Sequence, residues 1–357
     1  MMNVFNSTIN ESTPPTIGIL PSGPNNQITD IAGVSVGQVT LQEGSIQTGV
    51  TVITPHAGDI FTEKVAAGVS IINGFGKSIG LIQLEELGVI ETPIALTNTF
   101  AVPIIAQAQI KQAIQQHPQI GREWATVNPL VLECNDGYLN DLHAFAIEEK
   151  HYHQAHALQS NHVQQGSVGA GRGMRSFGLK GGIGTASRYS HPDDKESRYL
   201  VGALVLSNFG SLPYLQIGDS PLGKIITQLE KQQEVSVDKG SIIIVLATDA
   251  PLDARQLKRL SLRAGAGLAR TGSNYGHGSG DIAIAFSTTQ RISQHKDTIL
   301  SNPNTVHETV LNDLFNAAAE ATEQAIINAL WYATDVTGRD NQTIQSLLTK
   351  LKSLNLM

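Results

Sequence analysis

Ser241 follows Gly240 and opens the apolar run Ile242-Ile243-Ile244-Val245-Leu246-Ala247. This places a hydroxyl at the mouth of a buried strand, behind the one residue with no side chain to block attack. A hydroxyl is a weak nucleophile until a base stands beside it. If the Gly240–Ser241 bond is cut, Ser241 becomes an N-terminus. Its α-amine, with a pKa of roughly 7.7–8.0, then supplies the base next to the hydroxyl. On its own the dipeptide reads as a turn before a strand, so its weight depends on the rest of the chain. A second segment, Arg270-Thr271-Gly272-Ser273-Asn274-Tyr275-Gly276-His277-Gly278-Ser279-Gly280-Asp281, also precedes a strand. The bland reading is a hairpin loop. The sharper one uses strand periodicity: residues two apart face the same side, so Ser279 and Asp281 point a hydroxyl and a carboxylate together, as a proton relay requires.

Other motifs are weaker. Gly74-Phe75-Gly76-Lys77-Ser78 ends like a phosphate-binding loop, but the first glycine of that pattern falls on Ile71. Gly169-Ala170-Gly171-Arg172-Gly173 lacks dinucleotide-binding spacing. Ser236-Val237-Asp238-Lys239 fits S-x-x-K without its companion motifs. His151, His153 and His156 crowd together with no H-E-x-x-H pattern or carboxylate partner. No metal site is expected.

The elements that must position these residues follow from periodicity. Residues 28–56 alternate apolar and polar residues with glycine breaks and predict a hairpin. Residues 77–88 and 103–117 have helical spacing, residues 130–134 form a short apolar strand, and residues 151–161 read as an exposed linker. Residues 166–184 are dense in glycine. Residues 200–207 are a strand stopping at Asn208, and 218–240 read as a solvated loop leading to Gly240. Beyond it come a strand (242–248), a helix (253–268), a strand (281–287) and a long alanine-rich helix (305–334). Residues 1–25 are expected to be a flexible leader, and the remainder a single domain mixing sheet and helix layers.

Bulk properties exclude several classes. A content of 41% hydrophobic and 15% charged residues is enough for a folded core. A net charge of −7 without a basic tract argues against nucleic acid. The single Cys134 cannot form an internal disulfide. Neither a signal-peptide stretch nor a membrane-length apolar run occurs, so a cytoplasmic protein is expected.

Taken together, several ordered segments resemble the DmpA family of self-processing serine aminopeptidases, which includes L-aminopeptidases/D-amidases and β-peptidyl aminopeptidases. They are Ile28-Thr29-Asp30-Ile31-Ala32-Gly33-Val34, Thr48-Gly49-Val50-Thr51, Asn73-Gly74-Phe75-Gly76-Lys77, Thr97-Asn98-Thr99-Phe100-Ala101-Val102-Pro103, Glu133-Cys134-Asn135-Asp136, Gly181-Gly182-Ile183-Gly184-Thr185-Ala186-Ser187-Arg188, Asn208-Phe209-Gly210, Gly240-Ser241, Gly278-Ser279-Gly280-Asp281 and Thr337-Gly338-Arg339-Asp340. The resemblance implies an α/β fold, a four-layer αββα sandwich similar to N-terminal-nucleophile hydrolases. It implies self-cleavage at Gly240-Ser241 into residues 1–240 and 241–357, and a homotetramer of such pairs. It further implies that Ser241 is the nucleophile, that Asn208 is the oxyanion donor with Tyr138 near the same oxyanion, and that Ser279 and Asp281 form the relay. Some members carry Glu where this chain has Asp281. Glu133 is the candidate partner for the substrate ammonium, with an internal salt bridge as the structural alternative. The expected substrate is a small peptide or aminoacyl amide, with no cofactor. The alternatives are an acyltransferase similar to ornithine acetyltransferase, which typically exposes threonine rather than serine, and an uncleaved binding protein.

Overall fold

The computed structural model describes residues 12–191, 198–231, 240–295 and 304–357. In chain order the first half contains β1 (Ser35–Glu43), β2 (Ile46–Thr54), β3 (Glu63–Gly74), α1 (Leu81–Leu87), β4 (Val89–Ile90), β5 (Ile94–Asn98), α2 (Val102–Gln116), β6 (Leu130–Cys134) and α3 (Glu149–Ala157). The second half contains β7 (Arg175–Ser176), β8 (Leu179–Lys180), β9 (Gly182–Tyr189), β10 (Leu200–Asn208), α4 (Leu222–Leu229), β11 (Ser241–Thr248), α5 (Ala254–Arg270), β12 (Gly280–Ser293) and α6 (Leu311–Trp331).

Two sheets carry the architecture, one in the order β1-β2-β5-β6 and the other β4-β3-β12-β11-β10-β9. Alternating side chains show how they stack. Ile53, Leu96 and Leu132 from the smaller sheet join Leu204, Leu206, Ile243, Val245 and Ile284 from the larger one in an inter-sheet core. Their neighbours Val52, Ala95 and Val131 face outward and meet Ile105, Ala108, Tyr152 and Ala155 of α2 and α3. Val205, Ile244 and Ala283 on the other side meet Leu257, Leu260, Ala318 and Ala325 of α5 and α6. The result is the expected αββα sandwich.

Strands in the middle of such a stack are buried on both faces, which is why β11 reads as a continuous Ile/Val run rather than an alternating one. Residues 242 to 246 are all fully buried, and each is worth about 1.5–3 kcal/mol in transfer free energy. Asp253 starts α5 by accepting the Gln256 N–H at 2.7 Å, a capping interaction typically worth about 1 kcal/mol.

The structure corrects four expectations. Of the leader expected over residues 1–25, the described part is tied down: Ile17 N–H donates to Gln324 Oε1 (2.8 Å), Leu20 N–H to Glu320 Oε2 (3.0 Å) and Gly23 N–H to Ser187 Oγ (3.1 Å). The exposed linker expected at 151–161 is largely α3, whose Tyr152 and Ala155 are buried against the smaller sheet. The loop expected over 218–240 contains α4, and residues 232–239 lie outside the described residues. The helix expected over 77–88 is shortened to α1. Ile79 bridges Val131 instead, and Gly80 takes a left-handed φ of 91° at the N-cap. Among the described residues no helix is long and apolar enough to cross a membrane.

Candidate active site at the ends of β10, β11 and β12

Ser241 is the first residue of β11, between two strand ends: it pairs with Asn208 of antiparallel β10 on one side and Gly280 of parallel β12 on the other. It is buried, and its Oγ accepts the Gly280 N–H at 3.1 Å. Strand alternation from Ile243 and Val245 puts its side chain on the inter-sheet face. Immediately before it, a Cβ on Gly240 would lie 2.1 Å from the Asn208 carbonyl oxygen, so no other residue fits there without moving β10.

Asn208 shares that face with Leu204 and Leu206. Its Oδ1 accepts the Arg175 N–H at 2.8 Å, and its Nδ2 donates to the Asn135 carbonyl at 3.1 Å. Both ends of the amide are therefore oriented by backbone groups. An amide nitrogen carries two hydrogens, so the bond to Asn135 engages one of them.

Ser279 Oγ donates to Asp281 Oδ1 at 2.5 Å, and both residues are buried. The alternation expected from sequence brings these two side chains together. By alternation from Ala283 and Ala285 they lie on the face that packs against α5, opposite the face of the Ser241 side chain. The link to the serine hydroxyl is the backbone N–H of the intervening Gly280. Asn73, which the sequence offered only as part of the resembling segment 73–77 and without a role, holds this loop by donating Nδ2 to the carbonyls of Gly276 (2.9 Å) and Ser279. Its place beside Gly74-Phe75-Gly76 was the available signal.

Glu133, the last residue but one of β6, is nearly inaccessible. Its Oε1 accepts the Lys77 N–H at 2.8 Å and its Oε2 accepts the Thr99 hydroxyl at 2.5 Å. Among the described residues no Lys, Arg or His forms an ion pair with it, so the internal salt bridge considered as its structural alternative is not what the geometry shows. Gly74-Phe75-Gly76-Lys77-Ser78 is a bridge rather than a phosphate cradle: Phe75 N–H donates to the Ser279 carbonyl at 3.2 Å, and Lys77 N–H reaches Glu133. Beside Thr99, an apolar cavity of about 570 Å³ is lined by Asn98, Phe100, Ile104, Leu142, Phe145 and Ile147.

Tyr138 is half-exposed, with the Arg175 guanidinium 4.6 Å from its ring centroid. It is thus next to the residue whose N–H orients Asn208. The hydrogen bonds found among the described residues do not connect it to Ser241 or Asn208.

Two ionisable residues to which the sequence assigned no role stand behind this cluster. Burial pushes the Asp136 carboxyl up to about 7, against hydrogen bonds from Thr48 and Asn140 that hold it down. Burial also lowers Lys180 well below its ordinary value, and Arg172 acts in the same direction, while Asp136 opposes. Burial raises the Cys134 thiol, and the charges of Glu133, Asp281 and Asp136 push it the same way, so this cysteine is a core residue and not a nucleophile.

Comparison with known proteins identifies the family. Peptidase family S58 matches residues 26–344. The chain is 38% identical over 349 residues to the beta-peptidyl aminopeptidase BapA of Sphingosinicella microcystinivorans, covering 91% of this chain and 86% of that one. Among solved structures it is similar to the PH0078 protein of Pyrococcus horikoshii OT3, with 44% identity, a TM-score of 0.88 and 96% of each chain covered. It is also similar to the L-aminopeptidase D-Ala-esterase/amidase of Ochrobactrum anthropi, described as a prototype for the serine aminopeptidases and a variant of the Ntn hydrolase fold, with 34% identity, a TM-score of 0.85 and 96% of each chain covered. With its layered sheets and buried serine at a strand end, the chain belongs to peptidase family S58 and is an aminopeptidase of the serine type.

Proposed function

We propose that the Gly240–Ser241 bond is cut by the protein itself, leaving residues 1–240 and 241–357 as one folded unit in which the freed Ser241 is the nucleophile. The observation that carries this reading is the placement of Ser241 at the start of β11, in register with both Asn208 and Gly280. Cutting there leaves the strand intact and delivers a free amine at its first residue.

In turnover, Ser241 Oγ attacks the amide carbonyl of a small N-terminal residue, and its proton passes to the serine's own α-amine. The oxyanion formed takes a hydrogen bond from the Asn208 amide, with Tyr138 alongside. Such a donor is typically worth about 2.7–4 kcal/mol. Collapse breaks the C–N bond, the leaving amine takes the proton, and water hydrolyses the resulting ester. Ser279, oriented by Asp281, lies on the α5 side of β12 and holds the amine. Before the cut, when no amine exists, this pair relays the proton of the scission step.

Glu133 receives the substrate ammonium. Burying that cation without a counter-charge is costly, and this carboxylate has two hydrogen-bond donors but no cationic partner among the described residues. The substrates are small peptides and aminoacyl amides. The 38% identity to a beta-peptidyl aminopeptidase supports acceptance of β-amino residues, with the apolar cavity beside Thr99 taking the side chain. On the family resemblance, the working form is a homotetramer of cleaved pairs.

The test is Ser241→Ala. Denaturing electrophoresis is expected to show one uncut chain, with hydrolysis of alanine p-nitroanilide at background. An active Ser241→Ala protein would remove the nucleophile assignment.

A further inference from the structure

The glycine-dense stretch 166–184 is not explained by the chemistry above, and Lys180 sits within it. Lys180 is fully buried, at 0% relative exposure. Its Nζ donates to three backbone carbonyls: Met174 at 2.7 Å, Gly171 at 2.9 Å and Gly181 at 2.9 Å. Three acceptors fill all three N–H bonds of an ammonium, one more than a neutral amine can donate. A side chain so costly to bury needs a reason to be there.

The carbonyls it gathers belong to the turns that lead into and out of the β7–β8 hairpin, in which Arg175 pairs with Lys180. Met174 and Arg175 share a peptide unit: its carbonyl accepts from Lys180 Nζ, and its N–H donates to Asn208 Oδ1. One rigid plane thus couples the buried ammonium to the side-chain amide of Asn208. The hairpin is also fastened to the end of β10. Ser176 Oγ and Ser207 Oγ are hydrogen-bonded at 2.7 Å, and Phe177 N–H donates to the Phe209 carbonyl at 2.7 Å. The opposite end of the Asn208 amide is held by Asn135, whose neighbour Asp136 packs against this stretch. A Cβ on Gly173 would fall 2.7 Å from Asp136 Cβ, so that approach requires glycine.

We infer that Lys180 is a positioning residue for the reaction: by clamping the Met174–Arg175 peptide it fixes the rotation of the Asn208 amide, so that the amide hydrogen not used by Asn135 points to where the oxyanion forms. This inference rests on the reading of Asn208 as oxyanion donor. It gives the glycine-dense stretch a role as a carbonyl cage folded around one ammonium.

The experiment is a double-mutant cycle of Lys180→Met and Asn208→Ala, assayed on alanine p-nitroanilide with rates normalised to chains carrying a free Ser241 terminus. Lys180→Met keeps the length of the side chain and removes its donors. It is expected to lower kcat by about a hundredfold, the scale of an ångström-sized misplacement, with KM changed by less than about twofold. In the Asn208→Ala background the same change should cost nothing further, because the group it positions is gone. If Lys180→Met does not accumulate as folded protein, Lys180→Gln, which keeps two donors, is read in the same cycle. An unchanged kcat, or an equal loss in both backgrounds, overturns the positioning role while leaving Asn208 as it stands. A full kcat in Asn208→Ala alone overturns the oxyanion reading and the inference with it.

Discussion

The two flanks of Ser241 are built from different chemistry. On the β10 side stands a neutral dipole: the Asn208 amide, held at both ends by backbone groups and backed by the caged Lys180. On the β12 side stands an ionisable pair, Ser279 and Asp281, held by side-chain contact with each other and by Asn73. In the proposed mechanism the difference separates two tasks. An oxyanion exists only in the transition state and is best met by a fixed dipole that needs no reorganisation. A proton in transit needs a partner whose charge can change, and a carboxylate behind a hydroxyl supplies one. In that mechanism, placing the two on opposite faces of the sheet keeps the carboxylate away from the developing negative charge.

Breaking the dipole flank should have the larger effect on turnover. Asn208→Ala is expected to lower kcat by about 10²–10³-fold, as for loss of one oxyanion donor, with KM nearly unchanged in steady-state assays. If KM rises instead and kcat is kept, Asn208 binds substrate and the contrast between the flanks disappears.

Breaking the ionisable flank should show first in scission. Asp281→Asn keeps the shape and removes the charge, so it is expected to slow appearance of the 241–357 fragment by about a hundredfold, the low end of general acid–base contributions. Time courses on denaturing gels measure this. Scission at the normal rate would return Ser279 and Asp281 to a structural role.

The smallest effect sharpens the comparison through pH. Asp136, behind the dipole flank, has its carboxyl raised to about 7 when folded, from an ordinary value near 3.8. Between about pH 4 and pH 7 the folded state therefore holds a proton that the unfolded chain has released. Stability falls as pH rises through that window, by at most about 1.4 kcal/mol per unit, and levels off on either side. Asp136→Asn should flatten this slope in urea-unfolding midpoints. The same slope in the variant would place its origin elsewhere.

Much of this was legible in the sequence, and the parts that were not share a cause. β11 announced itself as an uninterrupted β-branched run because the middle of a four-layer stack buries both faces of a strand. Ser279 and Asp281 could be paired from period-two spacing alone. Asn208, Tyr138 and Glu133 came only through the resemblance, since one polar residue at a strand end or in a loop has no pattern of its own. α3 was hidden because His151, His153 and His156 made it look solvated, although Tyr152 and Ala155 pack its inner face. Residues 12–25 looked loose because their hydrogen bonds go to Ser187, Glu320 and Gln324, far away in sequence. Lys180 was invisible for the same reason a surface lysine is unremarkable: only folding shows three carbonyls converging on it.

The central claim is that the catalytic terminus is made by the protein's own scission. Mass spectrometry with N-terminal sequencing of freshly purified, catalytically active protein tests it most directly. The account predicts two fragments, residues 1–240 and 241–357, the second beginning at Ser241. A single intact chain that still releases amino acids from amide substrates would contradict it.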